Sequence, residues 1–178
     1  MNIKIFNLLK VSCKKISQKN DFELFLIFSQ IYNNFFKYIN LSNCHEIAFF
    51  RRKHDCIDYY AIIDELIKKN KKVYIIEDCT NNLSISSVNK ITNFVSIDDG
   101  IYSYPKSKKN NLKNIDVIVY PLQLYKNSYG YIYSVNEYEF LRKYKGLKIG
   151  LCFKESLINS SLDFKQFKFI KFDKIIVV

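Results

Sequence analysis

Apolar positions in this chain switch between short unbroken runs and a three-to-four-residue period, and each switch marks an element. Ile115 to Tyr120 is a run of apolar and β-branched residues ended by Pro121, which has no N–H to extend a sheet ladder, so it predicts a buried strand. From Val135 the apolar positions Val135, Tyr138, Leu141 and Tyr144 recur every third residue, and Ser134 with Glu137 has the spacing of a helix-capping box. Gly146 is placed to close that helix in a left-handed conformation, and Leu147 to Phe153 predicts a second buried strand. Strand, loop, helix and strand in this order predict a crossover in a parallel sheet. Ligands of such sheets collect at the carboxyl ends of the strands, which marks the loop from Leu122 to Tyr133.

The rest of the chain repeats the theme. Residues 3–16 predict a short helix with Ile5, Leu8, Leu9 and Ser12 on one side and Lys10, Lys14 and Lys15 on the other. Asn20 or Asp21 caps a long amphipathic helix running to about Ile39, its stripe made by Leu24, Phe25, Phe28, Ile31, Tyr32, Phe35 and Phe36. Glu46 to Arg51 predicts the first strand, Asp58 to Lys69 a helix buried through Ile62, Ile63, Leu66 and Ile67, and Lys72 to Ile76 the next strand. Leu83 to Ile85 and Phe94 to Ile97 have the texture of short strands. A loop then runs from Asp99-Gly100-Ile101 through Pro105 into the lysine-asparagine tract from Lys106 to Asn114. Phe167 to Phe172 is a basic, aromatic segment, and Lys174 to Val178 predicts a terminal strand. The expected architecture is a single α/β domain over residues 1–178, three-layered α/β/α around a central, mostly parallel sheet.

Composition narrows the classes. With 178 residues, 48% of them hydrophobic, the chain has material for a sizeable core. The net charge of +11 is carried almost wholly by lysine, the arginines being Arg51, Arg52 and Arg142, and lysine and asparagine excess reads as codon bias. No recognisable nucleic-acid module accompanies the charge, so specific nucleic-acid binding is not expected, whereas a phosphate-bearing small ligand suits it. Cys13, Cys44, Cys56, Cys79 and Cys152 include no C-x-x-C pair, a pattern of reduced thiols. Leu9-Lys10-Val11-Ser12-Cys13 matches a lipoprotein cleavage box poorly, because Lys10 stands where an aliphatic residue belongs. No stretch reaches the roughly 20 apolar residues that cross a bilayer, so a cytoplasmic protein without membrane contact is expected.

Cys44, His45, His54 and Cys56 are zinc-ligand types, but the strand between the two pairs would hold them roughly 25–30 Å apart at about 3.3 Å per residue. His45 and His54 read as loop residues. The four glycines, Gly100, Gly130, Gly146 and Gly150, form none of the glycine-rich nucleotide signatures, nor a nucleophile elbow.

The order of the segments resembles 5-formyltetrahydrofolate cyclo-ligase, also called methenyltetrahydrofolate synthetase, over nearly the whole chain. Ile47 to Tyr60 is similar to the family's first strand and the turn into its helix, and Val73 to Ile76 to the following strand. Asp99-Gly100-Ile101 with Pro105 is similar to its Gly-Ile-x-Glu-Pro turn, without the glutamate. Ile115-Asp116-Val117-Ile118-Val119-Tyr120-Pro121 resembles its Leu-Asp-Leu-Ile-x-x-Pro segment, Leu147 to Glu155 its Ile-Gly-Leu-Ala-Phe-x-x-Gln strand, and Phe172-Asp173-Lys174-Ile175-Ile176 its terminal Leu-Asp-x-Ile-Ile. The resemblance implies an ATP- and Mg²⁺-dependent ring closure. ATP phosphorylates the formyl oxygen of 5-formyltetrahydrofolate, N10 attacks, and 5,10-methenyltetrahydrofolate and phosphate result. It also implies a reduced folate and ATP as partners.

The family's phosphate loop reads roughly Phe-Asp-x-x-Gly-x-Arg-Leu-Gly-x-Gly-x-Gly-Tyr-Tyr-Asp, in which glycines admit phosphate to the backbone, basic groups offset charge and the last carboxylate serves the metal. Here the matching stretch, Leu124 to Glu139, keeps Gly130 alone among those glycines and holds no arginine. Carried over by resemblance, Gly130 and Tyr131 are the nucleotide-binding positions of the loop, Lys10 and Lys14 stand for the family's N-terminal basic pair, Tyr138 with Asp55 serves the substrate and Glu139 the metal. The family's Glu-Val-x-Thr folate motif becomes Cys56-Ile57-Asp58-Tyr59. Three readings follow: a cyclo-ligase whose activity is weak or rests on rearranged residues, a non-catalytic descendant that binds a folate, nucleotide or protein partner, or, should Ile115 to Tyr120 not lie beside Leu147 to Phe153, an unrelated basic α/β domain.

Overall fold

The computed structural model describes residues 3–51, 57–79, 82–88, 95–97, 101–103, 114–159 and 167–178. Helix α1 (Ile3–Ser17) leads into α2 (Asp21–Tyr38), and Asn20 makes both halves of a capping box with Glu23. There follow β1 (Glu46–Phe50), α3 (Tyr60–Lys68), β2 (Lys72–Cys79), β3 (Asn82–Val88), the short β4 (Val95–Ile97) and β5 (Ile101–Ser103), and β6 (Val117–Pro121). Then come β7 (Tyr125–Lys126), β8 (Tyr129–Tyr131), α4 (Val135–Lys143), β9 (Leu147–Cys152), β10 (Phe169–Lys171) and β11 (Lys174–Val177).

The main sheet has the order β11-β9-β6-β1-β2-β3. Every neighbouring pair is parallel except β2 with β3, so the sheet is mostly parallel as the sequence predicts, and β6 lies beside β9 through five paired positions from Val117↔Leu147 to Pro121↔Leu151. Alternation along the strands divides the core. Phe49, Ile75, Val117, Val119, Ile149 and Leu151 face a layer built by α2 and α3, through Ile31, Phe35, Ile62, Ile63 and Leu66. Phe50, Ile76, Ile118, Tyr120 and Cys152 face the other way, onto Leu141 of α4 and onto Phe172. A third cluster joins Ile5 and Leu9 of α1 to Leu124, Tyr131, Ile158 and Phe169.

Three local expectations are corrected. Helix α4 ends at Lys143 with Tyr144 in extended geometry, so Gly146 is not its left-handed cap. Gly146 instead admits the Tyr144 phenol, whose hydroxyl donates to the Ile115 carbonyl at 2.8 Å, and a Cβ there would strike that ring. The segment after Leu122 is not an open loop: β7 and β8 form a hairpin that β10 extends into a three-stranded sheet. The chain after Ile97 also turns back, since Ile101–Ser103 pairs with Val95–Ile97. The lysine-asparagine tract before Asn114 and the turn at Pro105 lie outside the described residues, as do His54, Asp55 and Cys56.

Candidate functional site

Strand order reverses direction at β1. The chain proceeds from β1 outward to β2 on one side, and β6, its other neighbour, leads outward to β9. The connecting helices α3 and α4 cover opposite faces, so the switch point, where sheets of this class take their ligands, falls at the carboxyl ends of β1 and β6, at Phe50-Arg51 and Tyr120-Pro121. Tyr59, at the start of α3, donates its hydroxyl to the Phe50 carbonyl at 2.7 Å and ties the helix to the end of β1.

Three polar pairs rim that edge. Arg51 continues the β1 ladder, its amide donating to the Ile76 carbonyl at 2.8 Å, and its Nη1 donates to Glu77 Oε1 at 3.0 Å. On the other face, Asn136 in the first turn of α4 donates Nδ2 to Asp78 Oδ1 at 2.8 Å and reaches the Cys79 carbonyl at 3.5 Å. Below it, the Tyr120 hydroxyl donates to Glu137 Oε2 at 2.5 Å, and Glu137 is buried. Ser134 caps α4 as its position predicts, accepting from the Glu137 amide, but the Glu137 carboxylate turns into the core toward Tyr120.

The segment matched to the phosphate loop has a different organisation. Asn127 takes the left-handed conformation, φ 55°, that turns β7 into β8, a place where asparagine is tolerated. The Tyr131 amide donates to the Leu124 carbonyl at 3.0 Å, the Ile132 amide to the Lys168 carbonyl at 2.8 Å, and the Phe172 amide to the Ser128 carbonyl at 2.8 Å. Gly130 pairs with Tyr125 and Ile170, and a Cβ on it would collide with Leu122 and Phe172. Leu122 fits between Gly130 and Gly150, which is closed to a Cβ by the same side chain. Tyr131 is buried against Phe169, ring centroids 5.6 Å apart, and burial pushes its phenol pKa upward. Tyr129 is half-buried and Tyr133 is 50% exposed.

The remaining residues carried over by resemblance are spread out. Helix α1 buries Ile5, Leu9, Ser12 and Ile16, with Ser12 Oγ 3.3 Å from Ser156 Oγ, while Lys10 and Lys14 are exposed on the opposite side. Glu139 pairs with Arg142 at 3.0 Å and Lys143 at 3.9 Å on the outer surface of α4. Tyr138, next to it, packs partly into the core beneath α4. Among the described residues no three His, Cys, Asp or Glu side chains group as metal ligands, and burial pushes the Cys44 thiol pKa upward, with Asp116 adding to it. Sequence reasoning missed the three rim pairs. Arg51 was visible as a scarce arginine ending a predicted strand, but its partner Glu77 belongs to the adjacent strand and is brought there by pairing alone.

The architecture therefore defines an α/β protein with a topological switch point between β1 and β6, of the cyclo-ligase fold. No family model matches the chain, and no curated protein matches it. Among solved structures it is similar to the 5,10-methenyltetrahydrofolate synthetase of Aquifex aeolicus, with a TM-score of 0.74 and 17% identity over 96% of this chain and 88% of that one. It is similar also to a 5,10-methenyltetrahydrofolate synthetase from Mycoplasma pneumoniae, with a TM-score of 0.72 and 14% identity over 96% of both chains. The chain resembles these synthetases and has their fold.

Proposed function

We propose that this chain is a ligand-binding protein built on the methenyltetrahydrofolate synthetase fold, which takes a reduced folate at the β1–β6 switch point and has weak or no ATP-driven ring closure. The fold similarity supports the folate. The amide commitments of Tyr131 and Ile132 carry the second half: N–H groups that would approach a phosphate are instead donors to Leu124 and Lys168.

A Mg²⁺–ATP group suits this surroundings poorly. The inward face of α1 toward the hairpin is Ile5 and Leu9, with Lys10 and Lys14 turned to solvent. Gly130 and Tyr131 are packing positions, and Glu139 already has two cationic partners on its helix. On this reading no phosphoryl transfer is assigned to these residues, and Asp55 with Tyr138 keeps the folate-facing assignment that the resemblance gives. Preorganised donors are worth roughly 3 kcal/mol each to a transition state, so losing several removes most of an enzyme's advantage.

The test combines an assay with a binding measurement. Protein supplied with 5-formyltetrahydrofolate, ATP and Mg²⁺ should give no sustained enzyme-dependent rise in methenyl product absorbance. 5-Formyltetrahydrofolate alone, at about a hundredfold over its Kd, should stabilise the fold by about 2.7 kcal/mol, a rise in Tm of about 5–10 °C. Mg²⁺–ATP alone should leave Tm unchanged. Sustained turnover would overturn the non-catalytic half, and a flat response to the folate would overturn the binding half.

A further inference from the structure

We propose that Arg51 is the anion-recognition residue of the switch point, receiving a carboxylate or phosphate group of the bound ligand on the part of its guanidinium that Glu77 leaves open. The proposal rests on the reading above only for the ligand's identity. Arg51 occupies the position directly after β1, at the point where the strand order reverses and where this class of sheet opens. Its backbone is held by the hydrogen bond that its N–H donates to the Ile76 carbonyl, so the side chain starts from a rigid strand end.

The guanidinium is oriented as well. Glu77 is 13% exposed in its side chain and accepts from Nη1, and among the described residues this is the one hydrogen bond or ion pair of the guanidinium, whose side chain is 32% exposed. A guanidinium carries five donors in a planar fork, so one bond fixes its direction and leaves donors for a second, planar or tetrahedral anion. Alternation along β1 and β2 puts Arg51 and Glu77 on the face of Phe49 and Ile75, covered by α2 and α3. The neighbouring carboxylate, Asp78, is on the other face and bound to Asn136, so it does not compete for the fork.

Several of the chain's other described cations are committed to carboxylates of their own. Lys68, Lys69 and Lys72 are paired with Asp64, Glu65 and Glu46, and Arg142 with Glu139. Lysine is also a point charge on a flexible stem, whereas a fork matches a carboxylate or phosphate edge with two bonds. In a chain that uses lysine nearly everywhere, an arginine at the switch point, steered by a largely buried glutamate, has the chemistry of a recognition group.

The experiment follows the Arg51 Nε–H resonance by ¹⁵N NMR while wild-type protein is titrated with 5-formyltetrahydrofolate and, separately, with inorganic pyrophosphate. A saturable shift with the folate, and about a tenfold loss of folate affinity in Arg51→Lys, is the expected result with a carboxylate as the ligand group. Arg51→Lys keeps a cation beside Glu77, so its unliganded Tm should stay close to wild type, and Arg51→Met serves as the charge-free comparison. Folate binding with an unmoved resonance and unchanged affinity in both variants would overturn this role while leaving the folate reading intact. No folate binding, but a saturable pyrophosphate shift, would overturn the folate reading and assign the residue to phosphate. Silence toward both anions would overturn the proposal.

Discussion

Asp116 stands one residue before β6 and holds the amino end of a strand that is its neighbour in the sheet but not in the chain. Its Oδ2 accepts from the amides of His45 at 2.7 Å and Glu46 at 2.9 Å. Asp173, immediately before β11, does the same for β9, accepting from the Lys148 amide at 2.8 Å. The Glu46 amide, followed by that of His45, pulls the Asp116 pKa down against the opposing effect of burial. A depressed native pKa contributes stability that is complete above the unfolded value near pH 4 and is lost as pH falls through the native one. Asp116→Asn should therefore lower unfolding free energy by about 1–3 kcal/mol at neutral pH. In urea titrations the gap to wild type should close as both approach about pH 2; an equal gap throughout would show that the charge is irrelevant. These aspartates were legible as part of the family resemblance, since Asp116 and Asp173 lie in the segments that carry it. Their work was not, because the amides they bind are set by strand neighbours far away in the chain.

The strand, helix and strand from β6 through α4 to β9 were readable because each segment has one dominant period and a cap at Ser134. The hairpin between them was not readable. Tyr125 to Tyr131 has no apolar run, its turn relies on Asn127 in place of glycine, and the strand that completes it is Phe169–Lys171. Gly130 was read as a surviving phosphate glycine, while the structure gives it a packing task beneath Leu122 and Phe172. Gly130→Ala should overpack that contact and destabilise the fold by about 1–3 kcal/mol, measured by urea unfolding. A variant as stable as wild type would mean that Leu122 moves aside easily. The same hydrogen bonding makes a second prediction, since amides of Tyr131 and Ile132 committed to carbonyls should exchange with solvent slowly. Fast exchange at both would reopen the possibility of a phosphate nest.

Across the described residues, tyrosines are packed into the core beside the phenylalanines, and each brings a titratable hydroxyl. Burial, with Cys152 and Glu155 adding, pushes Tyr125 up to about 12, and burial also raises Tyr144, Tyr131 and Tyr74. Unfolded phenols ionise near pH 10, so this contribution to stability is intact below about pH 10 and fades as pH climbs toward 12. Urea midpoints at about pH 9 and about pH 11 should differ, with phenolate absorbance rising together with unfolding. A smooth titration near pH 10 with no loss of structure would contradict it. Among the described residues no helix is long and apolar enough to cross a membrane.

The three-stranded sheet has a consequence for how the protein is made. Its outer strand, β10, is translated long after the hairpin it completes, with α4 and β9 emerging in between. A nascent chain stalled before Lys168 would carry the hairpin with the amide of Ile132 still lacking its Lys168 acceptor and Ser128 still lacking its Phe172 donor. The apolar seat for α1 would be incomplete too, since Phe169 belongs to it. The seat of the first helix is thus completed only when β10 has paired with the hairpin.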